Sequence, residues 1–139
     1  MPAPLTHTPG GFTLDTTGAV TIPSGPYAGD WTWDRLNLFT RGFIRAGFEA
    51  GVAHDCDGFL YPELDGTAFH MLAPASLERI MADCEAVLAE FKPPHPDAEL
   101  GEAFWRGRNQ IGPGNEFNKA AFPPITFVLT DDGKVEVTS

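Results

Sequence analysis

The stretch PASLERIMADCEAVLAEFK, from Pro74 to Lys92, decides the fold. Leu77, Ile80, Met81, Cys84, Val87, Leu88 and Phe91 recur at three- and four-residue spacing and form one apolar stripe along a helix. Pro74 suits a first helical turn, where its missing N–H is no loss, and Pro93-Pro94 stop the helix. Glu78 and Glu85 flank one side of the stripe, Asp83 and Glu90 the other.

A second helix is predicted upstream, from about Trp33 to Gly51, with Asp30 or Thr32 as its cap. Leu36, Phe39, Phe43, Ile44, Gly47 and Phe48 follow helical spacing, and Arg45 stands four residues before Glu49. Gly42 and Gly47 each lower helicity by roughly 1 kcal/mol against Ala, which points to close packing of another element there. Downstream, Asp97 can cap a shorter helix through about Arg106. Ile125–Leu129 and Val135–Val137 flank Asp131-Asp132-Gly133-Lys134, a strong hairpin signal. Phe12–Asp15 and Ala19–Ile22 alternate around Thr16-Thr17-Gly18 and read as a short N-terminal hairpin extension over 12–22, followed by a loop from Pro23 to Gly29. Phe59-Leu60-Tyr61 reads as a short strand, and residues 1–10 as a flexible leader. The expected class is α+β: two main helices and one shorter helix packed on a small antiparallel sheet, in a single globular domain over 11–139.

A chain of 139 residues bounds the molecule to one domain. A domain of this size buries roughly two-thirds of its unfolded surface, enough for a core without staples. Cys56 and Cys84 make no disulfide framework, and no apolar run approaches a membrane span. A soluble cytoplasmic protein with free thiols is expected. The net charge is −10, and it is unevenly placed. Twelve acids lie between Glu49 and Glu102 against only Arg79 and Lys92, while the rest of the chain is neutral. Such a region repels nucleic acid and attracts a basic protein surface, or serves solubility alone. Glu78, Asp83, Glu85, Glu90, Asp97 and Glu99 are the candidate partner surface.

The run from Phe104 to Phe117 is the densest in recognition chemistry. Trp105, Arg106, Arg108, Asn109, Gly112 and Gly114 form a candidate ligand or partner loop, with directed donors, tight-turning glycines and an aromatic anchor. The two arginines either grip a phosphate or carboxylate, or bridge to the acidic middle. The loop is no phosphate cradle, because the required glycine spacing is missing and Pro113 removes a donor. His54, Asp55 and Asp57 collect metal-capable side chains, but Phe59 takes a liganding position and the later acid is missing, so no metal or cofactor is expected. Cys56 beside His54 or His70 lacks the basic neighbours of a catalytic thiol, and Cys84 belongs to the apolar stripe. Trp31 and Trp33 either anchor an interface or cover the end of the core.

Four motifs in order, spanning roughly residues 36 to 137, carry a resemblance. They are Phe39-Thr40-Arg41-Gly42-Phe43-Ile44-Arg45-Ala46, Leu72-Ala73-Pro74 through Asp83-Cys84, Phe104-Trp105 with Arg108-Asn109 and two glycines, and Asp131-Asp132-Gly133-Lys134. This order resembles a family of small tailed-bacteriophage proteins that carries no assigned reaction. The family has Gly-His after its Arg-Asn where this chain has Gln110-Ile111, so any chemistry of that His is lost here. The resemblance implies a phage origin. The expected function is then a non-catalytic accessory protein in the host cytoplasm. It would bind a host protein, such as a nucleic-acid-handling or defence complex, through its acidic surface, without touching nucleic acid or membrane. The alternatives are a small anion-binding, ligand-binding or enzymatic domain built on the Arg106–Gly114 loop, and a minor virion or assembly protein.

Overall fold

Leu77, Ile80, Cys84 and Val87 line one side of the central helix and are fully enclosed, as their spacing requires. The computed structural model describes residues 14–50, 53–54, 60–61, 67–109, 115–119 and 122–138. Along the chain come β1 (Ala19–Ile22), β2 (Gly29–Thr32), a 3-10 turn at Trp33–Arg35 and α1 (Leu38–Ala50). There follow β3 (Ala53–His54), β4 (Leu60–Tyr61), α2 (Pro74–Phe91), α3 (Ala98–Asn109), β5 (Thr126–Leu129) and β6 (Val135–Thr138). The class is α+β, and the strands pair as separate antiparallel ladders, β1 with β2, β3 with β4 and β5 with β6. The predicted leader over 1–10, and Phe12, Thr13 and Phe59, lie outside the described residues.

The helix ends follow from local chemistry. Asp97 accepts the Leu100 N–H at 2.9 Å and opens α3. Lys92 closes α2 in the left-handed conformation, its N–H reaching the Leu88 carbonyl at 2.8 Å, just before Pro93-Pro94. The start of α1 departs from expectation. Asn37, not Asp30 or Thr32, caps it, accepting the Thr40 N–H at 2.7 Å. Leu36 is extended and buried, so sinking its side chain breaks the helical run between the 3-10 turn and α1. Arg41 then staples the turn to the helix by donating to the carbonyls of Trp33, Leu36 and Asp34.

The N-terminal hairpin is also re-paired. Ala19–Ile22 pair with Gly29–Thr32, so the Pro23–Ala28 segment is the hairpin loop. Thr16-Thr17-Gly18 does turn the chain, with Asp15 accepting the Thr17 N–H and Gly18 at φ +82°. The turn delivers Asp15 to a parallel bridge with Ala68 instead of to β1. Val20 and Ile22 reach the core in this register. At the other end, Leu72 bridges Val135, Ala73 donates to the Val135 carbonyl at 2.8 Å, and the Ser76 hydroxyl accepts the Val137 N–H at 2.9 Å, docking β6 on the start of α2.

α1 and α3 approach to backbone contact. A Cβ on Gly42 would stand 1.9 Å from the Ala98 carbonyl oxygen, and one on Gly101 would stand 1.9 Å from that of Phe39. This approach lays Phe39 over Phe104 at 5.8 Å and brings Phe43 to 5.1 Å from Phe104. Gly47 makes room in the same way for the Phe127 ring of β5. Gly42→Ala and Gly101→Ala each gain about 1 kcal/mol of helix propensity. Forcing the backbones apart costs about 3 kcal/mol or more, so each variant should be less stable by about 2 kcal/mol. A urea unfolding midpoint unchanged or raised by either substitution would contradict this packing.

Candidate functional site

The last turn of α3 carries the arginines and the amide of the predicted loop. Arg106 is exposed and bridges Glu102 one turn earlier at 3.6 Å. Arg108 turns inward, and its side chain is wholly enclosed. Its Nη1 donates to the Asp83 carboxylate at 3.0 Å, and its Nε and Nη2 both donate to the Pro123 carbonyl, at 3.0 and 2.8 Å. Phe43, Phe104 and Phe122 surround the guanidinium, each ring centre within 5.7 Å of it. Burial pulls its pKa down, the Asp83 carboxylate opposes that shift, and the group stays a cation at neutral pH.

The neighbours of Arg108 are also committed to the scaffold. Asn109 donates to the Trp105 carbonyl at 2.9 Å and accepts the Ile125 N–H at 2.8 Å. Trp105 is buried edge-on against Phe43 and Phe127. Asn115 donates to the Ala103 carbonyl and accepts the Phe117 N–H. Trp105, Arg108 and Asn109 therefore turn their chemistry inward, and of the described loop candidates only Arg106 is presented to solvent. Gly112 and Gly114 lie outside the described residues.

The candidate acids divide by position. Asp83 is turned away from a partner surface, since its carboxylate bridges Arg108 and stands 4.0 Å from Arg79. Glu78 and Glu85 face the β1–β2 loop, with Glu78 beside Gly25 and Glu85 accepting the Tyr27 hydroxyl. Glu85, Glu90, Asp97 and Glu99 are exposed along the second half of α2 and the start of α3. His54 falls in β3, and Asp55, Cys56 and Asp57 lie outside the described residues. Among the described residues no three His, Cys, Asp or Glu side chains gather as a metal site, and no helix is long and apolar enough to cross a membrane.

One opening does combine exposure with varied chemistry. A cleft of about 280 Å³ lies where the β1–β2 hairpin and the 3-10 turn meet α1 and α2. Leu36, Met81 and Leu88 supply apolar lining, Tyr27 and Trp31 supply rings, and Arg35 and Glu85 supply opposite charges. The Trp31 indole N–H donates to the Tyr27 carbonyl at 2.7 Å, which fixes the two aromatic residues relative to each other. The Arg35 guanidinium lies 4.5 Å over the Trp31 ring and donates to the Asp30 carbonyl. The Glu85 hydrogen bond pushes the Tyr27 phenol up to about 12, so it remains a donor at any ordinary pH. Tyr27 and Arg35 were not among the residues singled out from sequence. Their one signal is the even spacing Tyr27, Trp31, Arg35 across a segment read as loop and helix start.

Arg108→Ala should destabilise the fold by about 2–4 kcal/mol, because it empties a site enclosed by three rings and removes the donor from the Pro123 carbonyl and the Asp83 carboxylate. Thermal melting of that variant within a few degrees of the parent would show the brace to be dispensable. Burial pushes the Cys84 thiol up to about 12, so it should resist alkylation at pH 8 in the folded protein and react once urea unfolds it. Peptide mass spectrometry after iodoacetamide treatment reads this directly. No protein-family model matches the chain, and no curated protein or solved structure matches it either.

Proposed function

We propose that this protein is a non-catalytic accessory protein that binds a basic protein surface through the acidic junction of α2 and α3. The observation that supports the reading is the exposure of Glu90, Asp97 and Glu99 along that junction. Glu90 stands in the last turn of α2, which carries no basic residue. The partial negative charge of a helix C-terminus makes a carboxylate there unfavourable by about 0.3–1 kcal/mol, so its placement does nothing for the helix itself. Asp97 is engaged as the α3 cap yet stays exposed. A surface of this sign repels nucleic acid and steers basic partners toward it. In the setting that the phage resemblance implies, the partner is a host protein of the cytoplasm, such as a nucleic-acid-handling or defence complex. The loop reading draws less support, because Arg108 and Asn109 spend their polar atoms on Asp83, Pro123, Trp105 and Ile125.

The test is a crosslinked pull-down from host lysate, washed at low and then high salt. It is run in parallel with a Glu90→Lys, Glu99→Lys double variant. The expected result is a basic partner that the parent captures, high salt releases and the variant fails to capture. Capture that ignores both salt and the charge reversal would overturn the reading, and so would an empty pull-down.

A further inference from the structure

Two opposite charges share the cleft between the hairpin and α2 without meeting. Arg35 and Glu85 both line it, yet no ion pair joins them, and among the described residues Arg35 pairs with no carboxylate. Each is held in place by neutral groups. Arg35 is fixed by the Trp31 ring and the Asp30 carbonyl, and Glu85 by the Tyr27 hydroxyl. Opposite charges on long side chains that line one small cleft would ordinarily close on each other if nothing tethered them. Here the tethers keep them apart, and Leu36, Met81 and Leu88 give the same cleft an apolar lining alongside Asn37 and Thr40.

We infer that the cleft is a binding site for a zwitterionic small molecule, a free α-amino acid with an apolar or aromatic side chain. The ligand's carboxylate would face Arg35, its ammonium would face Glu85, and its side chain would lie on the apolar lining beside the Tyr27 and Trp31 rings. A single charged ligand would satisfy one of these groups and meet repulsion from the other, whereas a zwitterion satisfies both at once. A cleft of about 280 Å³ suits one such molecule. Both charged groups are exposed, so the affinity is modest, with a dissociation constant of roughly 0.1–1 mM. The inference stands apart from the reading of the α2–α3 junction.

The experiment follows the Trp31 indole N–H by NMR in the isotopically labelled full chain, assigned with Trp31→Phe, because that proton sits in the cleft wall on the Tyr27 carbonyl. L-phenylalanine is titrated against phenethylamine, which lacks the carboxylate, and 3-phenylpropionate, which lacks the ammonium. Phenylalanine should shift the resonance saturably, and each half-molecule should bind at least about tenfold more weakly. Arg35→Gln and Glu85→Gln should each weaken phenylalanine by a similar factor. Glu90→Lys with Glu99→Lys should leave it unchanged, which separates this site from the junction surface. The inference fails if phenylalanine gives no saturable shift up to about 10 mM, or if both half-molecules bind as well as it does. The half-molecule comparison uses the unaltered protein, so it holds even where a variant folds poorly.

Discussion

The backbone contact between α1 and α3 is the constraint on which the rest of the structure depends. Gly42 and Gly101 each stand where a side chain would strike a carbonyl of the other helix. Removing two β-carbons lets the helices close until the rings of Phe39, Phe43 and Phe104 interleave. Phe117 completes that group from the short turn after the loop, touching Phe39, Phe91 and Phe104. Phe91 lies at the end of α2, so the same ring cluster joins three helices. A core filled this way gains from ring geometry as well as from area.

Arg108 is the polar counterpart of that contact. Once α3 is pressed against α1, the inner face of its last turn has nowhere to go but into the core, and Arg108 occupies that face. Its burial is tolerable because a carboxylate, a carbonyl that accepts twice and three aromatic rings together replace water. The arrangement ties α3 to α2 through Asp83 and to the approach of β5 through Pro123. Asn109 repeats the second tie at Ile125. A positively charged residue, which by type belongs on the surface, thus ties three segments together.

Patterns confined to one element were legible in the sequence. The stripe of α2 needed only its own spacing, and the ends of α2 were marked by prolines and borne out within one residue. The Asp131–Lys134 turn was equally local, because the turn residues and the flanking alternation agree. The failures lie where a distant partner decided. α1 begins later than its pattern suggests because Leu36 gains more by entering the core than by extending the helix. Ala19–Ile22 had two turn signals beside it, and the burial of Val20 and Ile22 selected the later one. α3 runs past Arg106 to Asn109 because Arg108 and Asn109 have tertiary partners that no local rule contains. The inward turn of Arg108 was equally hidden, since Arg-Asn beside glycines reads alike whether its donors serve a ligand or the scaffold.

The cleft was the least legible feature, and the reason is geometric. Its lining comes from a hairpin loop, a strand, a 3-10 turn and two helices, and no single one of these segments forms it. Both of its charges are set by the re-pairing of the N-terminal hairpin. Had Ala19–Ile22 paired backwards with Phe12–Asp15, nothing would hold Tyr27 against Glu85 or Trp31 beneath Arg35. The true pairing closes a loop over α2, and that closure brings an acid of the central helix within reach of the Tyr27 phenol. The concentration of acids in the middle of the chain therefore resolves into different uses. Asp83 neutralises a buried cation, Asp97 starts a helix, Glu85 lines the cleft, and Glu90 and Glu99 remain on the surface. Net charge alone treats these residues as equivalent, whereas their partners divide them into those that hold the fold together and those left to meet another molecule.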